Sequence, residues 1–195
     1  MNKIDSGMKL DFSNVLIRPK RSTINSRSEV DLDREFKFKY SSYKWKGVPI
    51  ISANMDTTGT FEVYNVLQKF NIVTALHKFY TINDYITASA KYILDPDLYM
   101  ISTGISEENY TNLCKIMETV NCNWICIDIA NGYIKALTDY CKKVRQLYPD
   151  KIIVAGNIAT REMVEELLIN GGVDVVKIGI GPGSACSTRI KTGIG

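Results

Sequence analysis

The sequence holds a single histidine, His77, and that scarcity removes most histidine-based chemistry. A zinc site would therefore need cysteines at ligand spacing, and Cys122-x-x-x-Cys126 lies mostly on a strand-like run with no second pair. The five cysteines, Cys114, Cys122, Cys126, Cys141 and Cys186, are odd in number and spread through apolar segments. That pattern suits a reducing compartment better than a disulfide framework. No apolar run approaches the ~18–20 residues of a membrane span. The first nine residues carry Asp5 and Lys9 and lack the apolar stretch of a signal peptide, so a cytoplasmic location is expected. Net charge is also small, +3, with basic residues scattered rather than clustered. Neither a nucleic-acid nor a membrane partner is expected, although the basic residues could attract a small phosphate-bearing molecule.

What is present is an ordinary globular composition, 45% hydrophobic and 23% charged over 195 residues, enough for one core. After a polar arm, residues 1 to about 47, six short apolar runs follow: Val48–Ile51, Ile72–Ala75, Leu98–Ile101, Trp124–Ile127, Ile152–Ala155 and Val173–Ile178. They are rich in β-branched residues and recur at roughly the 25-residue interval of a strand plus its return helix. The intervening segments have helical spacing. Gly59–Phe70 places Phe61, Val63, Val66, Leu67 and Phe70 on one stripe, and Glu107–Val120 carries Leu113, Ile116, Met117 and Val120. Thr160 is a candidate N-cap, with Glu162 and Met163 at the positions that decide a capping box, and Gly171-Gly172 supplies the stop. Such alternation implies a parallel sheet with right-handed crossovers. A dinucleotide-binding sheet would place Gly-x-Gly-x-x-Gly after its first strand, but Ser52-Ala53-Asn54-Met55-Asp56-Thr57 stands there instead. The expectation is an α/β fold, a (β/α)8 TIM barrel truncated after about six strands, as one partial barrel domain over residues 1–195.

The loops at the carboxyl ends of barrel strands carry function. Those loops hold Asn54-Met55-Asp56-Thr57, His77-Lys78, Ser102-Thr103-Gly104, Asp128-Ile129-Ala130-Asn131-Gly132 and Gly156-Asn157. The last is Gly179-Ile180-Gly181-Pro182-Gly183-Ser184-Ala185-Cys186-Ser187-Thr188-Arg189. Its glycines let backbone groups approach a ligand or ion closely, and Arg189 would favour a thiolate at Cys186. Thr188 could move a proton if a base oriented it. A phosphate-cradling loop with an incidental cysteine is the alternative. The other four cysteines read as small buried hydrophobes, His77 as a structural hydrogen-bonding group, and Tyr133, Tyr140 and Tyr148 as packing residues. Lys78 is placed to meet a phosphate or a reacting centre, and Asp128 to do the same or to cap the next helix.

That final loop resembles the catalytic cysteine loop of the IMP dehydrogenase/GMP reductase family. Lys9-Leu10-Asp11-Phe12-Ser13-Asn14-Val15-Leu16-Ile17-Arg18-Pro19-Lys20-Arg21-Ser22, Ala53-Asn54-Met55-Asp56-Thr57 and Asp128-Ile129-Ala130-Asn131-Gly132-Tyr133 resemble its reductase branch. No regulatory insertion follows the second strand, where His77-Lys78 runs directly into Tyr80-Thr81-Ile82. The resemblance implies NADPH-dependent conversion of GMP to IMP and ammonia. Cys186 would form a thioimidate at purine C2, and Thr188 would work with a glutamate in proton transfer. It further implies NADPH contacts from Ser26, Arg27, Lys78, Asp128, Ile129, Ala130, Ile180 and Gly181, with Lys78 and Asp128 nearest the chemistry. The carbonyls of Gly181, Gly183 and Cys186 would hold potassium, and a complete relative would be a homotetramer.

Ser187 departs mildly from the threonine of many relatives. The partner glutamate, flap, phosphate loops and last strands would lie past Gly195, so the chain reads as a fragment or truncated product, inactive alone, with open sheet edges. Two alternatives stand beside the reductase. One is an IMP dehydrogenase using the same adduct; the other is a non-catalytic chain that binds nucleotide or assembles with full-length subunits.

Overall fold

The computed structural model describes residues 6–8, 10 and 12–195. Residues 1–5, Lys9 and Asp11, the last two within the reductase-like segment, lie outside the described residues. The chain divides into two compact units, residues 1–31 and 32–195. In the first, a 3-10 turn at Arg27–Glu29 is opened by Ser26, whose Oγ accepts the Ser28 N–H at 3.3 Å.

The second unit begins with an antiparallel hairpin, β1 (Arg34–Lys37) and β2 (Lys44–Gly47). Six parallel strands follow: β3 (Ile51–Ser52), β4 (Val73–Leu76), β5 (Tyr99–Thr103), β6 (Trp124–Asp128), β7 (Ile152–Ile158) and β8 (Val175–Ile178). They pair strictly in chain order, β3 to β8. Helices α1 (Phe61–Leu67), α2 (Ile82–Lys91), α3 (Glu107–Thr119), α4 (Lys135–Leu147) and α5 (Arg161–Ile169) return the chain between them, and the short α6 (Thr188–Thr192) follows β8. Sequential parallel pairing with a helix at each return is barrel winding, and the sheet curls into a half-barrel.

Every residue of β4 and β5 is buried, as parallel strands covered on both faces require. Helix α4 shows the matching helical pattern: Leu137, Tyr140, Cys141 and Val144 bury one stripe, while Lys135 pairs with Asp139 in solvent.

Three local expectations change. Val48–Ile50 is not strand, because Pro49 cannot donate to a ladder; Val48 instead donates to Asn71 O at 3.0 Å, and pairing starts at Ile51. The hairpin lies within the residues expected as a polar arm. Its charges point outward, and the alternation Lys44-Trp45-Lys46-Gly47 buries Trp45 and Gly47. Thr160 does occupy the N-cap of α5, but its hydroxyl makes no capping bond, and Met163 stands where a box needs a carboxylate. A carboxylate does close the start of α2, where Asp84 Oδ2 accepts both the N–H and the hydroxyl of Thr81 at 2.7 Å.

The hairpin covers the amino-terminal ends of the strands. Phe38 and Trp45 both meet Trp124 edge to face, at 5.3 and 6.0 Å. Asp174, at the foot of β8, fixes this floor. Its Oδ1 accepts the backbone N–H of Tyr40 at 2.9 Å and Ser41 at 3.3 Å, and its Oδ2 accepts that of Ile153 at 3.1 Å and pairs with Arg145. The Asp174 side chain is fully shielded from solvent. Replacing Asp174 by alanine strands the Arg145 guanidinium and three N–H groups. The expected loss is about 3 kcal/mol or more in urea unfolding followed by tryptophan fluorescence. A midpoint matching the parent chain would show the anchor to be dispensable.

Candidate active site

The strand ends assemble their polar residues at one mouth. β6 delivers Asp128, β8 delivers Lys177, and the loop after β3 delivers Asn54. Lys177 Nζ pairs with Asp128 Oδ1 and donates to Asn54 Oδ1 at 2.9 Å. Asp128 thus serves a neighbouring cation rather than capping the next helix. Beyond it the backbone is pinned to β7: Ile129 donates to Gly156 O at 3.0 Å, Asn157 to Ile129 O at 2.8 Å, and Gly132 to Asn157 O at 2.9 Å. Ala130 is exposed at the tip of this loop.

The cysteine loop leaves β8 at Gly179. Gly181 has φ +51°, and a Cβ there would sit 2.9 Å from Cys186 Sγ, so only glycine lets the thiol pack against the returning backbone. Gly183 has open space around it, and its carbonyl accepts the Cys186 N–H at 3.0 Å. Ile180 is buried, and its carbonyl accepts Arg189 Nε at 2.7 Å.

Cys186 is exposed, and its thiol lies 3.2 Å from Thr188 Oγ1. Hydrogen bonds from the Thr188 side chain and backbone hold this thiol below its ordinary range. The Arg189 charge lowers it too, as expected, but less than the Thr188 hydrogen bonds do, and its Nε donates to Ile180 O. Burial acts oppositely on the other thiols, pushing Cys122 and Cys141 up to about 12 and Cys126 up to about 11. Cys114 is half-buried in α3.

Lys78 stands apart from this cluster. Among the described residues it makes no ion pair; its Nζ lies 5.9 Å from the Phe79 ring centre. It borders a cleft of about 670 Å³ with Tyr80 and the first turn of α3, which carries Glu107 and Glu108. At His77 the buried Nδ1 has no hydrogen-bond partner among the described residues, and the ring stacks on Tyr80 at 3.8 Å. Tyr140 is buried as a packing residue, whereas Tyr133 is partly exposed and its hydroxyl accepts the Ala159 N–H at 2.9 Å. Ser26 and Arg27 belong to the first compact unit, where both are exposed. Sequence reasoning passed over Lys177. The signal was available, since a lysine inside the run Val175-Val176-Lys177-Ile178 needs a partner.

These environments make a testable order of reactivity. With iodoacetamide near pH 7.5, Cys186 is expected to be labelled while Cys122, Cys126 and Cys141 stay protected in the folded chain, as read by peptide mass spectrometry. The thiolate is the reactive form, so losing the Thr188 hydrogen bonds raises the thiol and lowers the rate at fixed pH. Thr188→Val should slow labelling roughly three- to tenfold and move the rate profile to higher pH. An unchanged profile would remove the Thr188 hydroxyl as the cause.

A sequence model of the IMP dehydrogenase / GMP reductase domain matches residues 9–195. The chain is 52% identical over 197 residues to a GMP reductase of Buchnera aphidicola subsp. Schizaphis graminum and 49% identical to one of Yersinia pestis (strain Pestoides F). Each match covers 99% of this chain and 56% of the relative, so the chain spans about half the length of the curated relatives it matches. Among solved structures, inosine 5'-monophosphate dehydrogenase from Legionella pneumophila superposes with a TM-score of 0.78 at 32% identity, over 94% of this chain and 55% of that one. With strand order, cysteine loop and sequence in agreement over nearly its whole length, this chain belongs to the IMP dehydrogenase / GMP reductase family.

Proposed function

We propose that this chain carries the cysteine and cofactor half of a GMP reductase, an NADPH-dependent oxidoreductase that converts GMP to IMP and ammonia. The observation that carries this reading is the exposed Cys186 thiol, lowered by Thr188 on a strand-end loop of the half-barrel. Cys186 is the nucleophile: its thiolate attacks purine C2, and the 2-amino group leaves as ammonia from the resulting covalent adduct. Thr188, within 3.2 Å of the sulfur, both stabilises the thiolate and stands beside the departing amine as a proton carrier. NADPH, when bound, would supply the hydride that C2 gains in place of the amine, and breaking of the C2–S bond would return the Cys186 thiolate and release IMP.

On the cofactor side, Asp128, Ile129, Ala130, Ile180 and Gly181, at the ends of β6 and β8, would bind and orient the dinucleotide together with Lys78. Lys78 and Asp128 would stand nearest the reacting centre as catalytic residues. Ser26 and Arg27 would add contacts from the amino-terminal segment. A potassium ion would be held by the carbonyls of Gly181, Gly183 and Cys186, the last two joined in one turn by the Cys186 N–H donating to Gly183 O. Backbone carbonyls suit a hard monovalent cation. The reading extends to a single partial barrel domain, to a homotetramer in the complete protein, and to a cytoplasmic setting.

The test follows NADPH absorbance on adding GMP with potassium present, both for this chain and for this chain fused to the remaining part of the Buchnera relative. The fusion is expected to turn over, with activity abolished by Cys186→Ala, while the 195-residue chain alone is silent. Turnover of IMP with NAD, but not of GMP with NADPH, would replace the reductase by the dehydrogenase. A fusion silent in both directions would favour a chain that binds or assembles without catalysis.

A further inference from the structure

Strand alternation turns Lys177 inward with Val175, and its side chain borders an interior cavity of about 200 Å³ shared with Ala75, Met100, Cys126 and Val154. An ammonium among such apolar groups needs strong partners. It finds them on two other strands, Asp128 on β6 and Asn54 after β3, at the opposite edge of the sheet. β7 lies between β6 and β8, and where it faces Lys177 it carries Gly156, whose absent Cβ would lie 2.6 Å from Lys177 Cβ. The strand therefore leaves room for Lys177 to cross to Asp128. The backbone bonds of Ile129, Gly132 and Asn157 fix the main chain after Asp128 but not its carboxylate. Lys177 holds Oδ1, while Oδ2 makes no hydrogen bond among the described residues.

We infer that Lys177 is a positioning residue, a strut across the mouth that aims Asp128 so that its second oxygen can accept a hydrogen bond from the cofactor's hydroxyl or amide groups. This rests on the proposed cofactor role of Asp128. The same ammonium ties the Asn54 loop to the Asp128 loop, so the two strand ends keep a fixed separation whether or not a ligand is bound.

The test compares Lys177→Met, Lys177→Arg, Asp128→Asn and the Lys177→Met/Asp128→Asn double variant in the 195-residue chain. NADPH affinity is read by fluorescence titration. Lys177→Met is expected to weaken binding about tenfold, Lys177→Arg to recover most of it, and the double variant to be no weaker than Asp128→Asn alone. Unchanged affinity in Lys177→Met, an arginine variant as weak as the methionine one, or losses that multiply in the double variant would overturn the inference. Amide hydrogen exchange gives a readout independent of cofactor. Lys177→Met should speed exchange roughly tenfold at both Met55–Thr58 and Ile129–Gly132 while leaving Ile125–Ile127 unchanged. Undisturbed loops would eliminate the strut. A parent chain that binds no NADPH would instead overturn the cofactor role of Asp128, and exchange would then decide the strut by itself.

Discussion

A single shielded carboxylate organises the floor of the half-barrel. Asp174 gathers the N–H groups of Tyr40 and Ser41, in the loop between the hairpin strands, the N–H of Ile153 on β7, and the Arg145 guanidinium from α4. Arg145 extends the same node, donating to the carbonyls of Gly172, Pro149 and Lys151 at 2.7–2.9 Å. These carbonyls lie in loops without ladder partners, so the ion pair also resolves the backbone polarity that a buried floor creates. Hydrophobic contacts alone would not choose this arrangement. The aromatic cluster of Phe38, Trp45 and Trp124 supplies area, whereas Asp174 supplies direction.

The same segment carries the second charge that matters. Asp174 and Lys177 are three residues apart, one at the foot of β8 and one near its top, and each is held by partners on other strands. The acid closes the end where the hairpin docks; the base organises the end where ligand would enter. This division matches the barrel principle that one face serves stability and the other chemistry. It also explains why an otherwise apolar strand tolerates charge. Neither group stands unpaired, and each is satisfied by contacts that only the curled sheet can bring together.

Much of the fold was legible because its signals are periodic. Five of the six parallel strands lie within the apolar runs or overlap them closely, and Leu113 and Ile116 bury the stripe expected of α3. The stripe expected over Gly59–Phe70 fails at Val66 and Phe70, which are exposed, while Tyr64 is buried instead. What escaped was non-periodic or depended on distant partners. Pro49 cut short the first apolar run, and the hairpin hid its single buried face among lysines. The loop residues were legible as a set, since strand ends can be counted, but their partners were not. Nothing local in Asp128 announces Lys177, forty-nine residues on. Arg189 does lower the Cys186 thiol, as its charge suggested, but the hydrogen bonds of Thr188, which sequence adjacency did not rank, contribute more.

The five thiols show how one residue type is divided between packing and chemistry. Cys122, Cys126 and Cys141 have almost no contact with solvent, and burial penalises the thiolate so strongly that neighbouring hydrogen bonds cannot compensate. Cys122 is a case in point, since its sulfur has the carbonyls of Tyr99 and Trp124 within 3.3 Å, groups that can accept from a thiol but cannot stabilise an anion. Cys186 escapes the penalty because its loop is exposed, and it gains a hydroxyl that can donate to the anion. Exposure alone would leave an ordinary thiol. The turn at Gly181 and the start of α6 place Thr188 beside the sulfur, so backbone geometry several residues long is what separates an exposed, lowered thiol from a small apolar side chain.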